Sequence, residues 1–240
     1  MDKFSKIESL LDAACNFQGN SEEEREKTRD KFRRIETEEE NVLRISIDGL
    51  VAQLAANMTN KVNETNEKTS YHILLVTSYI RSHYIINELI LDGDIIEATT
   101  LLRKQLESLT RMNELDKKPL DKLHKLYNKT PNVNNIFRKG AFKDIYAHLS
   151  EIAHLATPRA GKVLHIIKSE DLVGVSLYPR YTKLSHGCFD LQMFISLHFL
   201  FWLFDKQKSW YPNINTKKYE DILYGSLKIA LDIGVIIKSE

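Results

Sequence analysis

At 240 residues, 42% hydrophobic and 28% charged, the chain has an ordinary globular composition, long enough for one large domain or a core with an appendage. A formal net charge of +1 excludes a global field that would steer a polyanion, so any such attraction has to be local. Two distant cysteines, Cys15 and Cys188, exclude a disulfide framework and a cysteine-based zinc site, and they point to a reducing, cytoplasmic setting.

The N-terminus carries acids and no continuous apolar core, which argues against a secretory signal. Residues 2–17 predict a short amphipathic helix with Phe4, Ile7, Leu10, Leu11 and Ala14 on one side. Phe17-Gln-Gly-Asn is read as its break, with Asn20 or Ser21 capping a second helix. Residues 21–40 of that helix carry nine acidic and six basic side chains, and the run then turns apolar through Leu50, Val51, Leu54 and Ala55. One extended helix over residues 21–60 is therefore expected, its charged half projecting and its apolar half packed on the core or on a second copy. The polar stretch 60–68 is the candidate linker, dividing an arm, 1–65, from a helical core, 66–240.

A long helix from about residue 67 should stop at Gly93, with Asp94 and Glu97 starting the next as a capping box. Pro119 and Pro131 bracket a short helix containing His124 and Tyr127. The segment KDIYAHLSEIAHL follows, ended by Thr157-Pro158. A strand-like alternation in VGVSLYPRY allows at most one small strand pair near residues 171–181. The apolar stretch 191–204 is too short to span a bilayer and reads as a buried helix within about 183–206; a final helix covers about 216–237. The fold class is all-α, a multi-helix bundle with a long charged N-terminal helical arm.

Polar residues on these apolar helices mark the candidate site. Arg103 and Glu107 stand four apart beside the stripe Ile95, Ala98, Leu102, Leu106 and Leu109, and Tyr146, Ser150 and His154 repeat at the same interval. Polar groups near a packed interior need partners, so the two sets are expected to meet across a helix contact. A structural ion pair and a ligand-facing pair both remain open for Arg103 and Glu107. His154 is open as a catalytic or a structural histidine. No Gly-x-Ser-x-Gly elbow surrounds Ser150, so serine hydrolysis is not expected; its hydroxyl should return to the carbonyl of residue 146 or brace His154. His148, Glu151 and His154 fan across a helix face at steps of three, and neither a metal nor a cofactor is expected. Residues 117–143 carry eight basic side chains against the single acid Asp121, which nominates Lys122, Lys125, Lys129, Arg138 and Lys139 as phosphate-backbone contacts.

Arg159 and His165 in RAGKVLH resemble the Arg-x(4–6)-His motif of HEPN domains, helical and often dimeric proteins that include metal-independent endoribonucleases. The resemblance implies an arginine on the scissile phosphate and a histidine assisting proton transfer. Ala160 stands where that family often has a polar residue. The strings LLRKQLE and LSEIAH also look like a group of helical bacterial proteins sharing Leu-Leu-Arg-x-x-x-Glu and a serine followed four residues later by histidine, which marks Arg103, Glu107, Ser150 and His154. That second group has no assigned reaction to transfer and shares only the helical style of HEPN-like defence proteins; the HEPN resemblance implies an RNA- or phosphodiester-directed protein, an endoribonuclease of bacterial defence. The competing class is a non-enzymatic helical module, binding a protein partner or making a homodimer through the arm, or sensing a small molecule.

Overall fold

Nine glycines and five prolines leave long stretches without a breaker, and seven α-helices hold most of the described residues. The computed structural model describes residues 3–133, 141–154, 166–169 and 172–236. The helices are α1 (Lys3–Ile35), α2 (Glu38–Asn57), α3 (Glu67–Asp92), α4 (Ile95–Lys117), α5 (Ala141–Ala153), α6 (Lys183–Trp210) and α7 (Lys217–Asp232), with a 3-10 helix at Leu120–Leu126. A two-stranded antiparallel ribbon joins β1 (Ile166–Ser169) to β2 (Leu172–Val175). It lies earlier than the alternation in VGVSLYPRY indicated, and Ser176 to Thr182 run as irregular chain into α6.

The architecture is an all-α bundle around α6, which packs on α2, α3, α4 and α7. Its buried residues include Met193, Ile195, Phe199, Leu200 and Leu203, and they share one core with Leu43, Ile47, Leu50, Val51 and Leu54 of α2. By length and composition α6 could cross a membrane, although most of its apolar stretch is buried inside the bundle. Such a stretch also describes the central helix of a bundle.

The N-terminal region departs from the sequence reading. α1 runs unbroken through Gly19. An interior glycine costs a helix only about 1 kcal/mol relative to alanine, which leaves continuation possible. The break falls at Glu36 and Thr37, where Thr37 begins α2 with a capping box: the Glu40 N–H donates to Thr37 Oγ1 at 3.1 Å and the Thr37 N–H donates to the Glu40 carboxylate at 2.7 Å. Residues 21–60 are thus two helices. The charged half of α1 does not project either. Thr28 and Phe32 are buried, Arg29 bonds Asp92 and Glu88 on α3, and Arg25 reaches Asp94 at 3.0 Å. The exposed part of α1 is instead residues 7–20, every one of which is exposed.

Gly93 closes α3 with φ +81°, the left-handed cap expected of it. Asp94 departs from the expected capping box. Its side chain makes no cap bond to α4, because it faces Arg25 of α1 instead.

Candidate functional site at the α4–α5 face

α4 buries Ile95, Ala98, Leu102, Leu106, Leu109 and Met112 at steps of three or four, so one face is committed to the core. Arg103 and Glu107 flank that face on the side where α5 packs. α5 buries Leu149 and Ile152, which turns Tyr146 toward α4 and leaves exposed His154 in the turn just past the helix end. The His154 N–H still donates to the Ser150 carbonyl at 3.1 Å, continuing the helical path for one more residue.

Tyr146 sits at the centre. Its hydroxyl donates to Glu107 Oε1 at 2.6 Å and accepts from Arg103 Nη2 at 2.9 Å and Nε at 3.2 Å. Arg103 Nε also lies 3.2 Å from Glu107 Oε1, and its guanidinium stands 5.0 Å from the centroid of the Tyr146 ring. Arg103 Nη1 donates to His154 Nε2 at 2.6 Å. A guanidinium can only donate, so His154 accepts through Nε2 and its ring proton lies on Nδ1. These bonds leave two of the five guanidinium N–H groups without a partner among the described residues.

Electrostatics follow from the packing. Burial works against the charge on Arg103, but the bonds to Tyr146 and the nearby Glu107 outweigh it and hold the guanidinium above its usual range. Burial raises the Tyr146 hydroxyl, as does its bond to Glu107, while Arg103 pulls the other way. The outcome is a neutral phenol held between the Arg103 guanidinium and the Glu107 carboxyl group. Both charged side chains keep about a quarter of their surface in water.

The sequence-nominated residues divide clearly. Arg103, Glu107 and His154 come together. Ser150 lies between Tyr146 and His154, yet its hydroxyl makes no bond to the described residues, neither to the carbonyl of residue 146 nor to His154. Arg159 and His165 lie outside the described residues, as do Arg138 and Lys139. Lys122, Lys125 and Lys129 are exposed on the 3-10 helix and the turn after it. That 3-10 helix is anchored by Leu123 and Leu126 on Leu115, twelve residues beyond Arg103 on α4 and so about 18 Å along the axis. Arg111 fixes the following segment: it bonds the Lys129 carbonyl and lies 2.9 Å from Glu114, which accepts from the Asn132 N–H at 2.9 Å. Among the described residues no three His, Cys, Asp or Glu side chains converge in the manner of a metal site.

A second polar constellation escaped the sequence reading. His83 Nε2 meets Asp48 Oδ1 at 2.7 Å, His83 Nδ1 meets Ser196 Oγ at 3.2 Å, and Asn87 Nδ2 donates to Asp48 at 2.8 Å. The order Ser–His–Asp resembles a nucleophilic triad, but Ser196 and His83 are wholly buried in the core and no carbonyl could reach the hydroxyl. It pins α2, α3 and α6 together. The available signal is the pair His83 and Asn87, four apart and in line with the apolar stripe Val76, Ile86 and Ile90 of α3; the partner Asp48 lies on another helix and nothing local announces it.

No family model, curated protein or solved structure matches the chain.

Proposed function

We propose that the α4–α5 face is a phosphodiester-directed site and that the protein acts on RNA in the cytoplasm, in the manner the HEPN resemblance implies. What supports this reading is the 2.6 Å approach of Arg103 Nη1 to Nε2 of the exposed residue His154, which sets a cation able to hold phosphate beside a group able to accept a proton. In this reading an incoming phosphate draws Arg103 away from His154 while Glu107 and Tyr146 keep the guanidinium oriented. The freed Nε2 takes the proton of a ribose 2′-hydroxyl as its oxygen bonds to phosphorus. The bond from phosphorus to the 5′-oxygen breaks, that oxygen takes a proton from solvent, and the products are a 2′,3′-cyclic phosphate and a free 5′-hydroxyl. Lys122, Lys125 and Lys129, on a segment tied to the same helix through Arg111, hold backbone further along the strand.

The test is cleavage of single-stranded RNA by the purified chain with and without EDTA. Cleavage is expected in EDTA, falling by about 10²–10⁴ in His154→Ala. Arg103→Lys should lose activity as well, because a lysine cannot reproduce the paired donors. His165→Ala reports the contribution of the Arg-x-His segment independently. RNA left intact by the unaltered protein would leave the cluster as a brace between α4 and α5 and favour a non-enzymatic module.

A further inference from the structure

Residues 7–20 form about four helical turns with every residue exposed; among the described residues the Phe17 ring meets Tyr178 at 5.2 Å. An isolated helix of this length is marginal in water, and this one contains Gly19. It is also strongly sided. Ile7, Leu11 and Ala14 follow the alternating three–four spacing of a helix-pairing seam, with Leu10 and Phe17 on one flank, while Ser9, Asp12, Asn16 and Asn20 face away. Leu10 is 71% exposed and Leu11 58%, and neither packs against the core formed by the described residues. We propose that this segment pairs antiparallel with the same segment of a second copy of the chain.

Three features select that occupant. Between Ile7 and Asn20 the only charges are Glu8 and Asp12, with no lysine or arginine, so neither an anionic lipid surface nor nucleic acid suits it. The stripe is complementary to itself when reversed. With Leu11 of one copy opposite Ala14 of the other, large meets small twice about the two-fold axis, Ile7 falls opposite Gln18, and Leu10 lies beside Phe17. In that register Glu8 faces Cys15 and Asp12 points outward, so the acids of the two copies do not oppose one another. A parallel pair is ruled out by bulk: the bundle flanks α1 from Arg25 to Phe32, and two bundles would occupy the same length of axis. The antiparallel pair sends them to opposite ends. Two such stripes bury on the order of 1,000 Å² in total, near the lower bound of specific interfaces, so the dimer is concentration-dependent.

Sedimentation of the full chain over a concentration series tests this. A monomer–dimer equilibrium is expected, tightened or unchanged by added salt, because like charges are screened and no ion pair is lost. Leu10→Glu with Leu11→Glu should sediment as a single chain with the bundle's circular dichroism retained, since these side chains support nothing in one copy. Register is read by mixing Leu11→Cys with Ala14→Cys, each also carrying Cys15→Ser: a disulfide between the two variants is expected in excess over either self-linked pair. A chain that stays monomeric to about 100 µM overturns the proposal, that range being ample for an interface of this size. So does a dimer that survives the double glutamate, and preferential self-linking overturns the antiparallel register.

Discussion

Tyr146 shows how one hydroxyl can decide a site. It serves as donor to Glu107 and acceptor from Arg103, so removing the oxygen strips a bond from both charges at once. Both partners keep about a quarter of their surface in water, which discounts the effect to about 1 kcal/mol. Tyr146→Phe is therefore expected to lower the melting temperature by about 2–4 °C, and an unchanged melt would mean that water replaces the hydroxyl without cost. Arg103 with Glu107 on α4, and Tyr146 with His154 along and just past α5, were legible because four-residue intervals align each set on one side of its own segment. Ser150 shares the interval and is left out, since helix axes pack about 8–10 Å apart and a serine cannot bridge that gap as tyrosine and arginine do. Buried His72 and half-buried His198 carry a pH dependence. Burial lowers His72, against the Met112 carbonyl and Asp116, and burial lowers His198, against the Phe194 carbonyl. Below the ordinary value near 6.5 the unfolded chain binds protons that the folded chain refuses, so stability is lost as pH falls through that value. Asp94 and Asp190, raised by burial, act with the opposite sign from a lower starting point. Melting temperature should drop between about pH 7.5 and about pH 5.5, less steeply in His72→Gln and His198→Gln, and a flat profile would count against neutral burial.

At the scale of elements, the helices were readable wherever an apolar period ran uninterrupted, and misread where two local signals competed. Gly19-Asn20-Ser21 looks like a stop followed by a cap, but the stronger start is Thr37 with Glu40, and the chain obeys that one. Asp94 and Glu97 carry the same signature and do not use it, because Arg25 across the gap offers Asp94 an ion pair that no local pattern reveals. Gly93 is different. Its φ of +81° demands glycine, and a Cβ there would lie 2.8 Å from the Arg180 carbonyl oxygen and 2.9 Å from Thr28 Cγ2. One residue thus caps α3 and makes room for α1 and the segment before α6. Gly93→Ala should cost about 1–3 kcal/mol from backbone strain, with crowding added, and should loosen α1 from α3. Equilibrium unfolding measures the first and hydrogen exchange across residues 25–32 the second. A variant as stable as the parent would show that neither the left-handed cap nor the close approach matters.

Over the whole molecule, charge is balanced in total and segregated in place. In α1, Glu23 and Glu24 pair with Lys27, while Arg25 and Arg29 pair with the acids at the α3–α4 corner. The basic segment after α4 has fewer such partners: Lys122, Lys125 and Lys129 are exposed, with Asp121 the one acid among them. A near-neutral chain cannot draw a polyanion from a distance, so any RNA affinity has to come from a few phosphates bound at close range. Each phosphate neutralised on a single strand contributes about 0.7 to the slope of log affinity against log salt. If all three lysines reach phosphates, replacing them together with alanine should reduce that slope by about 2, and binding at low salt should weaken markedly. Arg103→Ala, about 18 Å away along α4, should remove no more than one such increment while abolishing cleavage. The two substitutions therefore separate holding the strand from cutting it. Should the triple replacement leave the slope where it was, the lysines are solvated bystanders, and RNA that fails to bind even at low salt removes the phosphate-directed reading altogether.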